Sequence, residues 1–175
     1  MTEKTKVILV GFDPKWAEKF KDEKEYIIEK IGEFVLSIDH IGSTAIPNIV
    51  AKPVIDILIG IKSLKQSEKI ITSMKELGYE YLDSIESYFP ERRLFIKTPT
   101  NKDTNQFNVH IWVHQSEGWK EMLLFRDYLL AHPEVAKEYE HVKKHMAKRF
   151  PDNEVAYSIG KEGFMQVILL RAKSK

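Results

Sequence analysis

The residue of this chain with the clearest chemical potential is Asp56, which lies within the run VIDILIGI. That run is apolar at both sets of alternating positions, a pattern typical of a strand that is buried on both faces. A carboxylate inside such a strand is costly unless a nearby cation, metal or base compensates its charge. Asp56 is therefore a candidate catalytic residue and a candidate metal ligand.

A Gly-Ser turn precedes that strand. Gly42, Ser43 and Thr44 interrupt the chain after the alternating segment 36–41, which itself predicts a strand. Backbone N–H groups and hydroxyls in such a turn can bind phosphate, and an aspartate on the next strand can hold Mg²⁺ against the same phosphate. The alternative is that Gly42 only turns the chain and Ser43 caps a helix. A Gly-Ser pair taken alone favours that structural interpretation.

Four cationic residues are candidates for binding an anion near this turn, and each also has a structural interpretation. Lys52 precedes the buried strand and could approach a triphosphate or remain solvated. Arg93 projects from a predicted strand and could bind an anion through two N–H groups, or form a surface ion pair. Arg126 and Lys161 interrupt apolar helix faces, where a buried cation needs either an acidic partner or a phosphate. If Arg93, Arg126 and Lys161 converge on one cleft with Gly42 and Ser43, an anionic ligand is the better explanation.

Two histidines could complete a metal site. A cluster of His40, Asp56 and His110 would offer the imidazole and carboxylate ligands that suit Zn²⁺ or Mn²⁺. The same three side chains could instead form a hydrogen-bonded polar cluster without a metal. The residue types favour neither interpretation, since titratable clusters occur at structural as well as functional sites.

The periodicity of the chain predicts the elements that hold these residues. In the first half, segments of period 3.6 alternate with strands of period two, whereas from Glu117 onward the period is 3.6 throughout, in three segments. Residues that favour helix termini mark several ends: Asp13-Pro14, Gly32, Ser63, Gly78, His132-Pro133 and Asp152-Asn153. These patterns predict an α+β domain, with an α/β core over residues 1–115 and C-terminal helices packed on it over residues 116–175.

Two strands are predicted to form a hairpin in the second half of the core. Segments 93–97 and 107–113 both alternate with the period of a strand, and the polar segment 98–105 separates them. They are expected to pair within a mixed sheet. Alternation also predicts that Arg93, Phe95 and Lys97 share one face of the first strand.

Composition narrows the classes of partner. Among 175 residues, 27 basic side chains balance 26 acidic ones, so the net charge of +1 gives no electrostatic argument for nucleic acid or a membrane surface. The absence of cysteine excludes disulfides and thiolate metal sites. No apolar run approaches the roughly 20 residues of a membrane span. A single cytoplasmic domain is therefore expected, and the sequence does not indicate its oligomeric state.

The stretch HIGSTAIPNIVAKPVIDILIGI resembles the signature of the GrpB-like family, within the DNA-polymerase-beta-like nucleotidyltransferase superfamily. The family's Arg-Arg motif resembles Arg92-Arg93, its Phe-Arg-Asp-Tyr-Leu helix is matched at residues 125–129, and a late tyrosine and lysine correspond to Tyr157 and Lys161. The resemblance spans nearly the whole chain. It implies a nucleotidyltransferase-like fold, in which a small mixed sheet backed by helices carries the Gly-Ser turn and the acidic strand at one edge of a cleft.

The resemblance also implies a reaction: nucleotidyl transfer with metals held by two carboxylates two residues apart and a third on a later strand. In this chain Leu58 occupies the second position, the later strand offers His110 rather than an acid, and Asn108 stands where the family has histidine. One hypothesis is a metal-dependent nucleotidyltransferase in which Asp56 binds Mg²⁺, Mn²⁺ or Zn²⁺ and the acceptor is unknown. The alternative, which Leu58 favours, is a non-catalytic sensor that binds a nucleotide or another phosphorylated small molecule.

Overall fold

A five-stranded mixed sheet carries the fold, and the computed structural model describes the chain over residues 6–100 and 106–174. The strands are β1 (Val35–Ile41), β2 (Val54–Ile61), β3 (Glu80–Tyr81), β4 (Arg92–Lys97) and β5 (Gln106–Val113). Across the sheet their order is β1, β2, β5, β4, β3, with β2 and β5 parallel and the other neighbours antiparallel. The predicted hairpin is confirmed as the β4–β5 pair, and residues 101–105 of its predicted loop lie outside the described residues.

The helices are α1 (Lys15–Ile31), α2 (Ser67–Glu76), α3 (Glu117–Ala131), α4 (Pro133–Arg149) and α5 (Glu154–Lys173). Two of their predicted caps are confirmed, because Asp13 accepts a hydrogen bond from the Lys15 N–H and Asn153 accepts one from the Ala156 N–H, each at 3.0 Å. Ser63 instead caps a short 3₁₀ turn that precedes α2. Together with the mixed sheet, these helices confirm the predicted α+β class.

Helices cover both faces of the sheet, which explains the uninterrupted apolar sequence of β2. Its odd-numbered isoleucines pack in the core formed with α1 and α2: Ile55, Ile57, Ile59 and Ile61. Asp56 and Leu58 lie on the opposite face, where α3 and α5 approach the sheet. The two faces of one strand therefore have different roles, since one builds the main core and the other carries the carboxylate.

A second core lies among α3, α4 and α5. It includes Ile46 and Ile49 from the connection between β1 and β2, so these helices hold that connection in place. Within the described ranges, 6–100 and 106–174, no helix is long and apolar enough to cross a membrane.

Candidate anion-binding site

A cleft of about 170 Å³ lies between the β1–β2 connection, the sheet and the first turns of α5. Its lining residues are Ser43, Lys52, Val54, Asp56, Asn108, Glu154, Tyr157, Ser158 and Lys161. The structure thus brings together four residues singled out in the sequence, namely Ser43, Lys52, Asp56 and Lys161. The convergence of cations on the Gly-Ser turn is met only in part, because Lys161 lines this cleft whereas Arg93 and Arg126 do not.

Asp56 is held by neighbours on β5. Its Oδ1 accepts a hydrogen bond from the Asn108 amide at 3.1 Å and lies 3.4 Å from His110 Nε2. Burial acts to raise the pKa of Asp56, but the hydrogen bonds from His110 and Asn108 and the charge of Lys161 bring it below its ordinary value. Asp56 is therefore a carboxylate at neutral pH, and its Oδ2 is the oxygen left for a ligand or an ion.

Arg92 fixes the protonation of His110. The guanidinium donates a hydrogen bond to His110 Nδ1 at 2.5 Å, so the ring proton lies on Nε2 and points toward Asp56. Burial, followed by the charge of Arg92, lowers the pKa of His110 despite the nearby carboxylate. Burial also lowers the pKa of Arg92, to about 10, so it remains a cation at neutral pH. Hydrogen bonds therefore connect the Arg92 cation to neutral His110, and His110 to the Asp56 carboxylate.

The structure corrects the assignment of Arg93 to this site. Arg93 shares a face with Phe95, which is fully buried in the core against α1 and α2, and that face is opposite to the one that carries Asp56. Its guanidinium bonds Glu86 at 3.2 Å and the Pro90 carbonyl at 2.9 Å. The neighbouring Arg92 is the arginine on the Asp56 face.

The structure also corrects the roles of His40 and Thr44. His40 lies on the α1 face of the sheet, where its ring stacks on Phe20 with centroids 5.0 Å apart. His40 Nε2 is 3.0 Å from the Thr44 hydroxyl, which donates to the Val54 carbonyl at 3.2 Å. Both side chains therefore stabilise the turn and do not line the cleft. The cluster of His40, Asp56 and His110 is not assembled, and within the described ranges no three histidine or acidic side chains are arranged to hold a metal.

Protonation of His40 is expected to destabilise the protein in acid. Burial, acting against the charge of Asp56, lowers the pKa of His40 to about 4, whereas a histidine in an unfolded chain titrates near about 6.5. The unfolded state therefore binds the extra proton first. As the pH falls from about 6.5 to about 4, this residue should lower the free energy of unfolding by on the order of 3 kcal/mol. Urea unfolding at stepped pH measures the slope.

The matched variant for that measurement is His40→Gln, whose amide can still donate to Thr44 but does not titrate. Its free energy of unfolding should depend less steeply on pH than that of the wild type between pH 4 and pH 6.5 (about the two pKa values). Some dependence should remain, because burial lowers the pKa of His110 as well. An unchanged slope would contradict the assignment, because the acid sensitivity would then come from other groups.

The structure also corrects the assignment of Arg126 as a phosphate-binding residue, because its contacts are with the protein itself. Its guanidinium donates to the His40 carbonyl at 3.1 Å and lies 3.5 Å from Asp39 Oδ1, while Nε donates to Asp127 at 2.8 Å. These contacts tie α3 to the end of β1. Arg126 does not line the cleft.

Two lysines bring positive charge to the cleft. Lys52 forms an ion pair with Glu154 of α5. Lys161 lies over the Tyr157 ring, with its ammonium 4.1 Å from the centroid, and burial lowers its pKa to about 8 although the charge of Asp56 opposes the shift. Within residues 6–100 and 106–174 no carboxylate lies in salt-bridge distance of Lys161. It is the cleft cation without an acidic partner in that part of the chain.

Gly42 and Ser43 bring the turn close to Asp56. Gly42 has φ of 72°, in the left-handed region, and a Cβ built on it would lie 2.2 Å from Asp56 Oδ2. Only glycine therefore allows this approach of backbone to carboxylate. Tyr139 of α4 is buried, and burial raises the pKa of its hydroxyl to about 12 although the nearby Ser43 side chain acts to lower it.

Side chains of α4 hold the rest of the connection between β1 and β2. Glu140 accepts a hydrogen bond from the Val50 N–H at 2.9 Å, Lys143 donates to the Val50 carbonyl, and Lys137 donates to the Asn48 carbonyl at 2.6 Å. Burial lowers the pKa of Lys143 to about 7, with the charge of Lys161 adding to the shift. These residues were not predicted from the sequence, because their charged pattern is that of an ordinary solvent-exposed helix face.

The residues of this cleft fit a single metal ion that is shared with a bound phosphate, and they do not fit a pair of metal ions. Mg²⁺ commonly takes one or two carboxylates and completes its shell with phosphate oxygens and water, which suits Asp56 Oδ2 beside a bound phosphate. A site for two metals does not fit, because the second carboxylate would replace Leu58. That side chain is fully buried in an apolar cluster with Ile41, Trp112 and Trp119.

Sequence comparison finds relatives of this chain along most of its length. The family model described as GrpB protein matches residues 6–171. Glutamate-rich protein GrpB of Alkalihalophilus pseudofirmus is 40% identical over 168 residues, a match that covers 95% of each chain. The protein YqkA of Bacillus subtilis is 39% identical, and the match covers 97% of this chain but 48% of YqkA. The chain therefore spans about half of that second relative.

Structure comparison finds the same fold in solved proteins. Conserved protein GrpB from Enterococcus faecalis has a TM-score of 0.83 and 32% identity, with 94% of this chain and 96% of that chain aligned. The Cid1 poly(U) polymerase has a TM-score of 0.57 and 18% identity, with 86% of this chain and 49% of that chain aligned. At that identity the second likeness shows the fold alone, a nucleotidyltransferase-like fold.

Proposed function

The chain belongs to the GrpB family and has a nucleotidyltransferase-like fold, and we propose that its cleft binds the phosphate groups of a nucleotide or another phosphorylated small molecule. The observation that carries this proposal is the convergence of Ser43, Lys52, Asp56 and Lys161 on one cleft. They come from distant parts of the chain, and each is of a type that can bind phosphate directly or through a metal.

Lys161 supplies the electrostatic argument. Its ammonium is partly buried, its pKa is lowered to about 8, and it has no carboxylate within salt-bridge distance in the described part of the chain. A buried cation in that state lowers the stability of the free protein, and a phosphate ligand would offset the cost. Lys52 already pairs with Glu154, so Lys161 is the cation that an incoming anion would meet.

Asp56 would take part through a single divalent cation. A carboxylate beside phosphate groups is repulsive unless an ion lies between them, and Mg²⁺ or Mn²⁺ joins carboxylate and phosphate oxygens in this way. When bound, the ion would neutralise phosphate charge. The residues that would hold it are Asp56, through Oδ2, and the ligand itself.

Of the two candidate functions, Leu58 favours ligand binding without nucleotidyl transfer. The two-metal reaction needs a second carboxylate two residues after the first, and here that position is a leucine sealed among two tryptophans. We therefore propose a nucleotide or phosphate sensor as the function of the cleft, with transfer as the less favoured candidate.

A thermal-shift panel tests the proposal. The four nucleoside triphosphates, inorganic triphosphate and several phosphorylated metabolites would each be added with Mg²⁺, Mn²⁺, Zn²⁺ or EDTA. A ligand at about 100 times its dissociation constant should stabilise the protein by roughly 2.7 kcal/mol, which raises the melting temperature by several degrees. Failure of every phosphorylated compound to shift the melting temperature would contradict the proposal.

A further inference from the structure

The carboxylate of Glu154 lies in the cleft beside the cations that a phosphate ligand would use. Glu154 is in the first turn of α5 and forms an ion pair with Lys52, and both side chains line the cleft. Among the described lining residues, the cations are Lys52 and Lys161. The acids among them are Asp56 and Glu154. These charges cancel, so the free cleft attracts an anion only weakly until the charge of a carboxylate is removed or neutralised.

Backbone hydrogen bonds hold the connection between β1 and β2 near α5 independently of that ion pair. Val10 and Ala51 exchange two of them, at 2.8 and 3.0 Å. The Val7 N–H donates to the carbonyl of Pro151, in the turn between α4 and α5, at 2.8 Å. Segment 7–10 therefore ties the connection to this turn. The ion pair can open by rotation of its side chains while the backbone stays in place.

Of the two side chains in the ion pair, Glu154 is the one that can leave. Its side chain is 39% exposed, whereas that of Lys52 is 21% exposed. A carboxylate that rotates into water regains its hydration, and an ion pair with this much exposure contributes little to stability. A phosphate group carries more negative charge than a carboxylate and offers more acceptor oxygens. Phosphate is therefore the stronger partner for Lys52.

We propose that Glu154 occupies a phosphate position in the free protein, and that a ligand with a chain of phosphates displaces it from Lys52. The other cation, Lys161, lies over the Tyr157 ring, one turn of α5 beyond Glu154. A single phosphate at Lys161 leaves the ion pair closed, whereas linked phosphates reach both lysines. Glu154 thus competes with one end of the chain. This inference rests on the proposed function, because it concerns ligand binding in the same cleft.

Isothermal titration with inorganic triphosphate and with inorganic phosphate, each in Mg²⁺, tests the proposal. Glutamine keeps the size of the glutamate side chain but not its charge, so Glu154→Gln should bind triphosphate at least about tenfold more tightly than the wild type does. Its affinity for phosphate should change by less than about threefold, because only a screened, longer-range repulsion is removed. The control is Glu162→Gln, at an exposed position of α5, which should leave both affinities nearly unchanged.

A second substitution, Lys52→Met, identifies the cation that Glu154 blocks. In the Glu154→Gln protein it should weaken triphosphate binding by about tenfold. In the wild type it should weaken binding by less, because there the phosphate contact only replaces an ion pair.

The outcomes separate this inference from the proposed function. If the wild type binds triphosphate and Glu154→Gln binds it no more tightly, the role of Glu154 is overturned and the phosphate site stands. A gain that persists after Lys52→Met, or an equal gain for phosphate and triphosphate, would also overturn it. Absence of triphosphate binding by both the wild type and Glu154→Gln would overturn the proposed function as well.

Discussion

Replacing Lys161 with methionine should weaken binding of inorganic triphosphate and at the same time make the free protein more stable. Binding should fall by about 100-fold, since a charge-assisted contact to phosphate contributes about 1.5 to 3 kcal/mol. Stability should rise at pH 7 by up to about 3 kcal/mol, because burial lowers the pKa of Lys161 to about 8 and thereby penalises its charged form. Isothermal titration and urea unfolding measure the two effects.

The sign of the stability effect can be checked through pH. Between the folded pKa of about 8 and the usual lysine pKa of about 10.4, the unfolded chain carries the proton and the folded chain does not. The wild type should therefore gain stability as pH rises through that range, and the methionine variant should gain less. Lys148→Met, at an exposed position of α4, is the control and should leave triphosphate binding nearly unchanged. Normal binding by Lys161→Met would contradict the assigned role.

Gly42→Ala should destabilise the protein and remove triphosphate binding together. The alanine Cβ would lie 2.2 Å from Asp56 Oδ2 and 2.9 Å from its Cγ, so the carboxylate must move away from Asn108 and His110. Strain at positive φ adds to that cost, and the sum should reach roughly 3 kcal/mol or more. Chemical denaturation gives the stability, and titration with triphosphate gives the binding.

The variant Gly78→Ala distinguishes the cost of backbone strain at positive φ from the cost of the contact with Asp56. Gly78 also has positive φ, 85°, but nothing lies within 4 Å of an added Cβ. Alanine there should cost only the backbone strain, about 1 kcal/mol, and should not affect binding. If the two alanine variants lost equal stability and both bound triphosphate normally, the close contact of Gly42 with Asp56 would have no functional meaning.

Much of the fold could be predicted from the sequence because the relevant signals are local. Alternation in 36–41, the apolar run 54–61, the cap at Asn153 and the break at His132-Pro133 each act over a few residues. Asp56 could also be singled out locally, because a carboxylate within an apolar run conflicts with its surroundings.

The site residues that were predicted wrongly are those whose position depends on the face of the sheet or on the register between strands. Alternation correctly places Arg93 with Phe95, but period two does not say which face of the sheet carries the cleft. The prediction of Arg93 as the anion-binding arginine is therefore wrong, and Arg92 lies on the face of Asp56. His40 pairs with Ile57 across β1 and β2, so it faces away from Asp56, which is one residue earlier on β2. The sequence contains no signal for that register, nor for the packing of α5 that brings Lys161 and Glu154 to the cleft.

The measurement that tests the central claim most directly is triphosphate affinity of the wild type and of Asp56→Asn, each titrated in Mg²⁺ and in EDTA. If Asp56 holds a cation against phosphate, the substitution should weaken binding by at least about tenfold in Mg²⁺. In EDTA it should strengthen binding, because it removes a negative charge beside the phosphate groups. The effect of one substitution would thus reverse in sign with the metal. An equal effect in both conditions, or none in either, would contradict the account of Asp56 as the metal-dependent centre of a phosphate-binding cleft.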